Sequence, residues 1–374
     1  MNEHDALIVL NAIPNLGGLR LRKLLEHFGS ARAVLEARPQ DLVGKSLLAE
    51  KWVGVISTFP REEFLKKERA LMLSRGVTAV TIEDADYPDL LKEIPGAPVV
   101  LYVKGNISSL KSPSVAVVGS RRASLYGLSV AEKLAVDLAQ AGLTVVSGLA
   151  LGVDTAAHRG ALKAKGTTIA VLGNGLADVF PRSNERLLPD IAAAGAVVSE
   201  FPMTMPPMAR NFPQRNRIIS GLSLGVVVAE ASLKSGALIT ADFALEQGRD
   251  VFAVPGPIGN PASEGVHRLI QQGAKLICRV DDVLQELNLP PGAPAKPARP
   301  GGSRTPDASS AAPLAPETRR ILEQLNDEPL HVDRLAERIG TASAGLAAAL
   351  LALELKHLVK QLPGKYFIRQ RQLN

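Results

Sequence analysis

The sequence of 374 residues predicts an α/β fold built on a parallel, doubly wound sheet. Three observations indicate this class. Ser114–Val118 is continuous in Val and Ala after its first residue, which is typical of a strand covered on both faces. Similar strands then alternate with helical segments, and this succession requires right-handed crossovers between parallel strands. Turns that contain glycine or proline follow most of these strands, so we expect a ligand site where the carboxyl ends meet.

The regular part of this sheet lies between residues 113 and 287. Short apolar runs predict strands at 114–118, 143–147, 167–172, 196–199, 224–229, 250–254 and 275–278. Apolar residues at helical spacing predict helices at 125–141, 154–165, 184–194, 214–222, 237–247, 262–272 and 280–287. The preceding stretch, 66–110, is expected to add two strands around a short turn or helix, so that the whole domain spans residues 66–287.

The N-terminal segment, residues 1–65, is expected to form a helical module. Within it, the stretch Asn11–Gly18 separates two helical patterns. It resembles the turn of a helix-hairpin-helix, whose backbone N–H groups bind phosphate. A small helical bundle that binds nothing is the alternative, and the sequence leaves both interpretations open.

The C-terminal part of the chain divides into a linker and a small domain. Residues 288–316 are rich in Pro, Gly, Ala and Ser, which predicts a flexible tether. Residues 317–374 predict three helices and a hairpin, the pattern of a winged helix. The helices are expected to begin at Glu317 and to span Val332–Ile339 and Ala342–Leu355, and the hairpin to turn at Pro363. Because the third helix has almost no side chains that read bases, specific operator recognition is not expected.

The composition, 46% hydrophobic and 21% charged, predicts a soluble globular protein. No run of about 18 apolar residues occurs and the N-terminus is acidic, so we expect a cytoplasmic protein with no membrane partner. The single cysteine, Cys278, lies in an apolar run that predicts a buried thiol. His158 is expected on a helix surface, and no residues at metal-binding spacing accompany it, so neither a metal nor a cofactor is predicted.

The turn after the first core strand is the first candidate binding site. It reads Gly119-Ser120-Arg121-Arg122 and opens a helix, which is the usual place for an anion in such sheets. The dinucleotide fingerprint and the P-loop are both missing, so a nucleic-acid phosphate is the first candidate ligand. The net charge of +6 is spread along the chain, so such a site must be a local cluster. A solvated surface pair of arginines is the alternative.

Two further loops support this prediction. Arg215, Asn216 and Arg217 are expected in the first turn of a helix that begins after Pro213. Cations there oppose the helix dipole, which favours a compensating anion. The alternative is that these arginines pair with Glu200 or Glu230 across the edge of the sheet. In the next loop, Ser235–Gly236 opens another helix with a group of N–H donors.

Taken together, these motifs resemble the DprA (Smf) family of DNA-processing proteins over essentially the whole chain. The resemblance rests on six strings that occur in the same order: Gly119–Arg121, Ser147–Asp154, Phe212–Ser223, Ser235–Ala241, Gly248–Gly256 and Gly273–Ala274. It implies an extended Rossmann-like core, an N-terminal module similar to SAM or helix-hairpin-helix domains, and a C-terminal winged helix. It also implies a homodimer formed through the Rossmann-like domains.

The function that the resemblance implies is not enzymatic. Family members bind incoming single-stranded DNA during natural transformation, protect it and load the RecA recombinase onto it. Carried over by position, Arg121 is the main phosphate contact, Arg182 is a second basic residue of the same pocket, and Phe180 is a stacking ring that lacks the hydroxyl of some relatives. The predicted DNA-binding residues are Gly119, Ser120, Arg121, Gly148, Leu149, Ala150, Asn174, Phe180, Arg182, Asn211, Arg215, Asn216, Arg217, Ser235 and Gly236.

The sequence leaves two alternative functions. One is a nucleotide phosphoribohydrolase of the lysine-decarboxylase-like group, in which Asp154 and Glu230 would act as acid and base. The P-G-G-x-G-T string of that group is missing, and Asp154 fits a helix N-cap equally well. The other is a transcription regulator that acts through the winged helix, which the poor recognition helix disfavours.

Overall fold

The computed structural model describes residues 1–14, 16–43, 50–289, 321–322, 324–325, 329–339, 346, 349–350, 353–354, 358–362 and 366–369. The chain divides into two compact units, Met1–Ala298 and Arg299–Asn374. Within the described part of the chain, none of the helices has both the length and the apolar character needed to cross a membrane.

Six helices lie in the described residues at the start of the first unit, which confirms the helical prediction for this segment. The side chain of Asn2 caps α1 by accepting a hydrogen bond from the Asp5 N–H at 2.8 Å. The apolar faces of the helices pack against one side of the first two strands of the sheet, and Leu7, Leu24 and Tyr102 share one buried cluster. The helices are α1 (Glu3–Ala12), α2 (Gly17–Phe28), α3 (Ala31–Glu36), α4 (Pro39–Val43), α5 (Glu50–Thr58) and α6 (Arg61–Arg75). The boundary predicted at residue 65 falls inside α6.

A nine-stranded sheet forms the centre of this unit, with the strand order β1-β2-β6-β5-β4-β3-β7-β8-β9. Strands β3 to β9 are parallel, as predicted, and β1 and β2 join antiparallel. The strands are β1 (Val77–Thr81), β2 (Val100–Gly105), β3 (Ser114–Gly119), β4 (Thr144–Ser147), β5 (Thr168–Val171), β6 (Ala196–Ser199), β7 (Gly225–Glu230), β8 (Asp250–Ala253) and β9 (Lys275–Leu276). All seven predicted core strands are present, most within one or two residues of the expected ends.

Helices cover both faces of the sheet, so alternate residues of one strand enter different cores. Val115 and Val117 of β3 pack into one buried cluster, whereas Ala116 and Val118 pack into the other. This arrangement explains why β3 reads as a continuous apolar run. The helices are α7 (Asp89–Lys92), α8 (Leu125–Gln140), α9 (Val153–Lys163), α10 (Leu188–Ala194), α11 (Asn211–Gly221), α12 (Gly236–Glu246), α13 (Glu264–Gln271) and α14 (Val280–Glu286).

Three local predictions in this domain were wrong. Helix α11 begins at Asn211 and not after Pro213, because a proline in the first turn has no intrahelical N–H bond to lose. The predicted helix 184–194 is a 3₁₀ turn, Arg182–Leu187, followed by the short helix α10. Strand β9 ends at Leu276, so Cys278 lies beyond the strand, and its N–H donates to the Asp282 carboxylate. The Cys278 thiol is exposed and not buried.

The second unit combines one described helix with a three-stranded antiparallel sheet. The sheet has the order β10-β12-β11, formed by β10 (Leu330–His331), β11 (Val359–Leu362) and β12 (Tyr366–Arg369). Helix α15 (Val332–Ile339) has the predicted bounds, and its Leu335 is buried with Phe367. The start of the first predicted helix at Glu317, the turn at Pro363, residues 290–320 and most of the third predicted helix lie outside the described residues.

Candidate nucleic-acid interface

An open cleft of about 510 Å³ lies at the carboxyl ends of the central strands. It sits between β3 and β7, where the strand order reverses, and doubly wound sheets bind their ligands at this point. The loops after β3, β4, β7 and β8 and the start of α11 form its walls. The lining includes Gly119, Ser120, Arg121, Arg122, Ala150, Asp154, Phe212, Arg215, Asn216, Lys234, Ser235 and Gly236.

The turn after β3 presents two exposed arginines to this cleft. Arg121 and Arg122 are both solvent-exposed, and the guanidinium carbon of Arg121 lies 5.4 Å from the centre of the Phe212 ring. Ser120 shapes the turn, since its hydroxyl accepts a hydrogen bond from the Arg122 N–H at 3.1 Å. A Cβ atom at Gly119 would lie 2.6 Å from the Val153 side chain, so only glycine lets this turn approach the start of α9. The turn therefore carries free positive charge over an aromatic face.

Two phenylalanines form an aromatic surface at this site. The rings of Phe180 and Phe212 have their centres 5.5 Å apart and are tilted by 40°. Phe180 is 41% exposed, and Arg182, which begins the adjacent 3₁₀ turn, is exposed as well. Neither Phe180 nor Arg182 lines the cleft itself. The aromatic surface therefore includes Phe212, which lines the cleft, and Phe180, which lies beyond the lining, and Arg182 follows Phe180 by two positions in the chain.

The loop after β4 is held in place by the Asp154 carboxylate. This carboxylate accepts hydrogen bonds from the N–H groups of Gly148 at 3.1 Å and Ala150 at 3.3 Å. Between them, Leu149 is buried in a left-handed conformation with φ of 55°. Its carbonyl accepts a hydrogen bond from the Asn184 side chain at 2.9 Å. The prediction of an N-cap at Asp154 was wrong, because α9 begins one residue earlier, after Gly152.

Arg215 lies under this loop as a buried cation. It is only 3% exposed, and one of its nitrogens donates to the carbonyl of Gly148 at 2.7 Å and to that of Val171. A Cβ atom at Gly148 would lie 2.5 Å from the guanidinium group, so a side chain at this position would displace Arg215 from its carbonyl partners. Burial lowers the pKa of Arg215 to about 10. Burial also raises the pKa of Asp154, and the nearby charge of Arg215 opposes that rise.

Arg217 does not contribute to the cleft, which corrects its prediction as a groove residue. Its guanidinium group donates to both carboxylate oxygens of Glu200, at 3.0 and 2.5 Å, and to the carbonyl of Gly96 at 3.2 Å. Both partners of this ion pair are buried. Because α11 begins at Asn211, these arginines lie in its second turn, and the argument from the helix dipole does not apply. The structure shows the ion-pair alternative for Arg217.

The opposite wall of the cleft is the start of α12. Ser235 caps this helix by accepting a hydrogen bond from the Ala237 N–H at 3.3 Å, and Gly236 is exposed. Asn216 connects the two walls, since it accepts from Arg215 Nε at 3.2 Å and donates to the Gly236 carbonyl at 3.3 Å. Lys234 adds an exposed cation that the sequence reasoning missed. A cation immediately before a helix that opens at the sheet edge was the signal for it.

Two predicted site residues are buried beside the cleft without lining it. The Asn174 side chain donates to the carbonyls of Gly175 and Asp178, each at 2.9 Å, and thereby shapes the loop after β5. Its Oδ1 atom has no hydrogen-bond partner, and neither has the buried Nδ2 atom of Asn211. Neither amide lines the cleft.

The groups that a hydrolase would use are engaged elsewhere. Glu230 accepts hydrogen bonds from the N–H and the hydroxyl of Ser124, and Asp154 accepts from two backbone N–H groups. His158 is fully buried, so its predicted surface position was wrong, and burial lowers its pKa to about 3. The described residues contain no group of three or more His, Cys, Asp or Glu side chains placed to hold a metal ion.

Comparison with known families gives two matches along the chain. A family model described as DNA recombination-mediator protein A matches residues 78–288. A second, described as the DprA winged helix domain, matches residues 305–365. The first match covers the sheet and the whole cleft. The second confirms the predicted C-terminal winged helix.

Individual relatives are similar over most of the chain. Protein Smf of Escherichia coli (strain K12) is 47% identical over 282 residues, which cover 75% of this chain and 74% of the relative. The X-ray structure of DNA processing protein A from Streptococcus pneumoniae has a TM-score of 0.67 at 40% identity, covering 76% of this chain and 98% of that one. A Helicobacter pylori DNA processing protein A, described by its single-stranded DNA binding mode, has a TM-score of 0.52 at 30% identity, covering 57% and 95%.

Proposed function

The chain belongs to the DprA (Smf) family, and from this membership we propose that it binds single-stranded DNA in the cleft between β3 and β7. The observation that carries the proposal is the exposed guanidinium group of Arg121 over the Phe212 ring at the wall of an open cleft. The relative from Helicobacter pylori is itself described as binding single-stranded DNA. The protein is proposed to protect the strand and not to cut it.

The chemistry of the cleft fits an unpaired strand whose sequence is not read. Arg121, Arg122 and Lys234 supply charge for phosphates, and the first turn of α12 supplies N–H groups. Phe212 and Phe180 supply aromatic faces for bases. A base can stack on such a face only when it is not paired in a duplex. A site that neutralises about four phosphates of a single strand gives a slope of roughly −3 in a plot of log affinity against log salt.

Three finer parts of the proposal come from the family resemblance. We propose that the protein acts in natural transformation in the cytoplasm, that it loads RecA onto the bound strand, and that two copies pair through their Rossmann-like domains. Loading is tested by following RecA filament formation on strands coated with single-strand binding protein, with and without this protein. Light scattering of the purified chain tests the dimer, and a monomer at all concentrations would refute that part.

The central test is a gel shift with single-stranded and double-stranded forms of the same oligonucleotide. The full-length wild type is compared with the Arg121→Ala/Arg182→Ala double variant, and Arg75→Ala serves as a control because Arg75 is exposed at the end of α6. We expect the wild type to prefer the single strand, the double variant to lose most of this binding, and the control to keep it.

Two results would contradict the proposed function. One is equal affinity of wild type and double variant for the single strand over the whole salt range. The other is release of free base from AMP by the purified protein, which would favour the phosphoribohydrolase alternative. The acid and base of that alternative, Asp154 and Glu230, would then be required, and substituting either would abolish the release.

A further inference from the structure

We infer that Glu230 is a positioning residue that fixes the DNA-binding turn, so that the orientation of Arg121 depends on one buried carboxylate. Glu230 ends β7, is only 2% exposed and lies opposite Gly119, where the pairing of β3 with β7 shifts in register. This inference rests on the proposed function, because it assigns a role within the same site.

Glu230 holds both ends of the turn that carries the arginines. At the first end, the Ser120 N–H donates to the backbone carbonyl of Glu230 at 2.8 Å. At the other end, the Ser124 N–H donates to Oε1 at 2.9 Å, and the Ser124 hydroxyl donates to Oε2. The segment between these two anchors contains only Arg121, Arg122 and Ala123. Both ends of the backbone that carries the exposed arginines are therefore held by a single residue of the neighbouring strand, and the Ser120 carbonyl also accepts a hydrogen bond from the Val153 N–H at 3.2 Å.

The surrounding structure makes room for this carboxylate and balances its charge. A Cβ atom at Gly127 would lie 2.7 Å from Oε2, so the glycine admits the carboxylate to the first turn of α8. The start of a helix of 16 residues is a favourable place for a negative charge. Within the described residues Glu230 takes part in no ion pair, so it does not neutralise Arg121 directly. An acid so near the proposed phosphate site is tolerated because its negative charge lies at the N-terminal turn of α8.

A matched acid serves as the control. Glu68 is also 2% exposed and accepts a backbone N–H, that of Met203 at 2.8 Å, but it lies on α6 and does not line the cleft. Truncation of either buried acid leaves a backbone N–H without its acceptor, so Glu68→Ala controls for that structural cost of Glu230→Ala. Only Glu230→Ala also frees the Ser124 end of the turn that carries Arg121, because the backbone carbonyl that accepts from Ser120 remains in the variant.

The test measures the binding of a fluorescent oligothymidylate to the full-length protein across a salt series. The variants are Glu230→Ala, Glu230→Gln, Arg121→Ala, the Glu230→Ala/Arg121→Ala double variant and Glu68→Ala. We expect Glu230→Ala to weaken binding and to flatten the salt slope by about 0.7, the contribution of one phosphate. Glu230→Gln should restore binding, because its oxygen accepts the Ser124 N–H and the Ser124 hydroxyl turns to accept from its amide.

The double variant decides whether Glu230 acts through Arg121. If it does, the double variant binds no more weakly than Arg121→Ala, because residues that act as a unit are not additive. The inference is overturned if the fold-loss of affinity in the double variant equals the product of the fold-losses in the two single variants. It is also overturned if Glu230→Ala binds as the wild type does, or if Glu230→Gln loses as much affinity as Glu230→Ala. Loss of binding in Glu68→Ala equal to that in Glu230→Ala would do the same.

Two precautions keep the outcomes distinct. If Glu230→Ala does not fold, Gly127→Ala displaces the carboxylate from Ser124 by its added methyl group and should flatten the slope in the same way; an unchanged slope there would contradict the inference. The inference alone fails if Arg121→Ala weakens binding and neither Glu230→Ala nor Gly127→Ala does. The proposed function fails if Arg121→Ala has no effect.

Discussion

The guanidinium carbon of Arg121 lies 5.4 Å from the centre of the Phe212 ring, and the two residues, one in the turn after β3 and one in the first turn of α11, are 91 positions apart in the chain. In the proposed function, their contact places a cation for the phosphate beside an aromatic face for the base. The ring restricts the flexible arginine to one side of the cleft, which reduces the entropy lost when a strand binds. A planar guanidinium group that stacks on a ring is not equivalent to an ammonium group of the same charge.

The first prediction separates the charge of Arg121 from its stacking. Arg121→Lys keeps the charge, so we expect the salt slope of single-strand binding to stay at the wild-type value while the affinity falls. Arg121→Ala should lower the affinity about tenfold or more, since a hydrogen bond to a charged group contributes roughly 1.5–3 kcal/mol. Fluorescence anisotropy over a salt series measures both quantities. An unchanged affinity in Arg121→Lys would refute the role of the stacked geometry.

Substitutions in the aromatic pair are expected to lower the affinity without changing the salt slope, as Arg121→Lys does. Phe212→Leu and Phe180→Leu keep an apolar side chain but remove the stacking face, and each stacked base is worth about 1–3 kcal/mol. We therefore predict weaker binding with an unchanged salt slope for both. Phe59→Leu is the control, because Phe59 pairs with Phe64 in the N-terminal helices and does not line the cleft. A flattened slope in Phe212→Leu would show that the ring acts mainly by holding Arg121.

Arg217 leads to a prediction about stability and not about binding. Glu200→Ala leaves the buried Arg217 without its partner, and breaking a buried ion pair costs about 3–5 kcal/mol. We expect a large drop in the urea midpoint of unfolding. The protein that remains folded should bind single-stranded DNA with wild-type affinity, because Arg217 does not line the cleft. If the apparent DNA affinity falls by more than the decrease in the folded fraction explains, Arg217 belongs to the interface after all.

The sheet was predictable because its strands are buried on both faces. Val115 and Val117 face one core and Ala116 and Val118 face the other, so the sequence shows an unbroken apolar run that few other structures produce. Helix starts were less predictable. Pro213 suggested that α11 begins after it, yet the first turn of a helix accommodates a proline without losing a hydrogen bond.

The location of the cleft was predictable from the sequence, and the engagement of its individual residues was less so. The turn with Arg121 was identified because glycine and arginine follow a strand directly, which is a local signal. The engagement of Arg217 by Glu200 depends on residues from two different elements, so no local pattern distinguishes it from a free arginine. The same is true of His158, whose burial depends on contact with Thr168 of the neighbouring strand.

His158 gives a prediction about pH. The Thr168 hydroxyl donates to the Val145 carbonyl at 2.7 Å, so the contact of 2.8 Å between His158 Nδ1 and this hydroxyl requires a proton on Nδ1. Nε2 then has no hydrogen-bond partner, so its protonation would place an unpaired charge in the protein interior. Burial accordingly lowers the pKa of His158 from 6.5 to about 3. As the pH falls, His158 is protonated in the unfolded chain before it is protonated in the folded protein. The contribution of neutral His158 to the free energy of unfolding is therefore complete above pH 6.5 and is lost as the pH falls.

We therefore expect His158 to lower the free energy of unfolding by about 2 kcal/mol between pH 7 and pH 5. His158→Asn keeps a donor for the Thr168 hydroxyl but cannot titrate, so it should be less stable at pH 7 and lose less stability on acidification. The quantity to compare is the difference in slope, because the raised pKa of Asp154 acts in the opposite direction within the same protein. His27→Asn, at an exposed position of α2, is the control and should keep the wild-type slope. If His158→Asn also kept that slope, the neutral buried imidazole would be refuted.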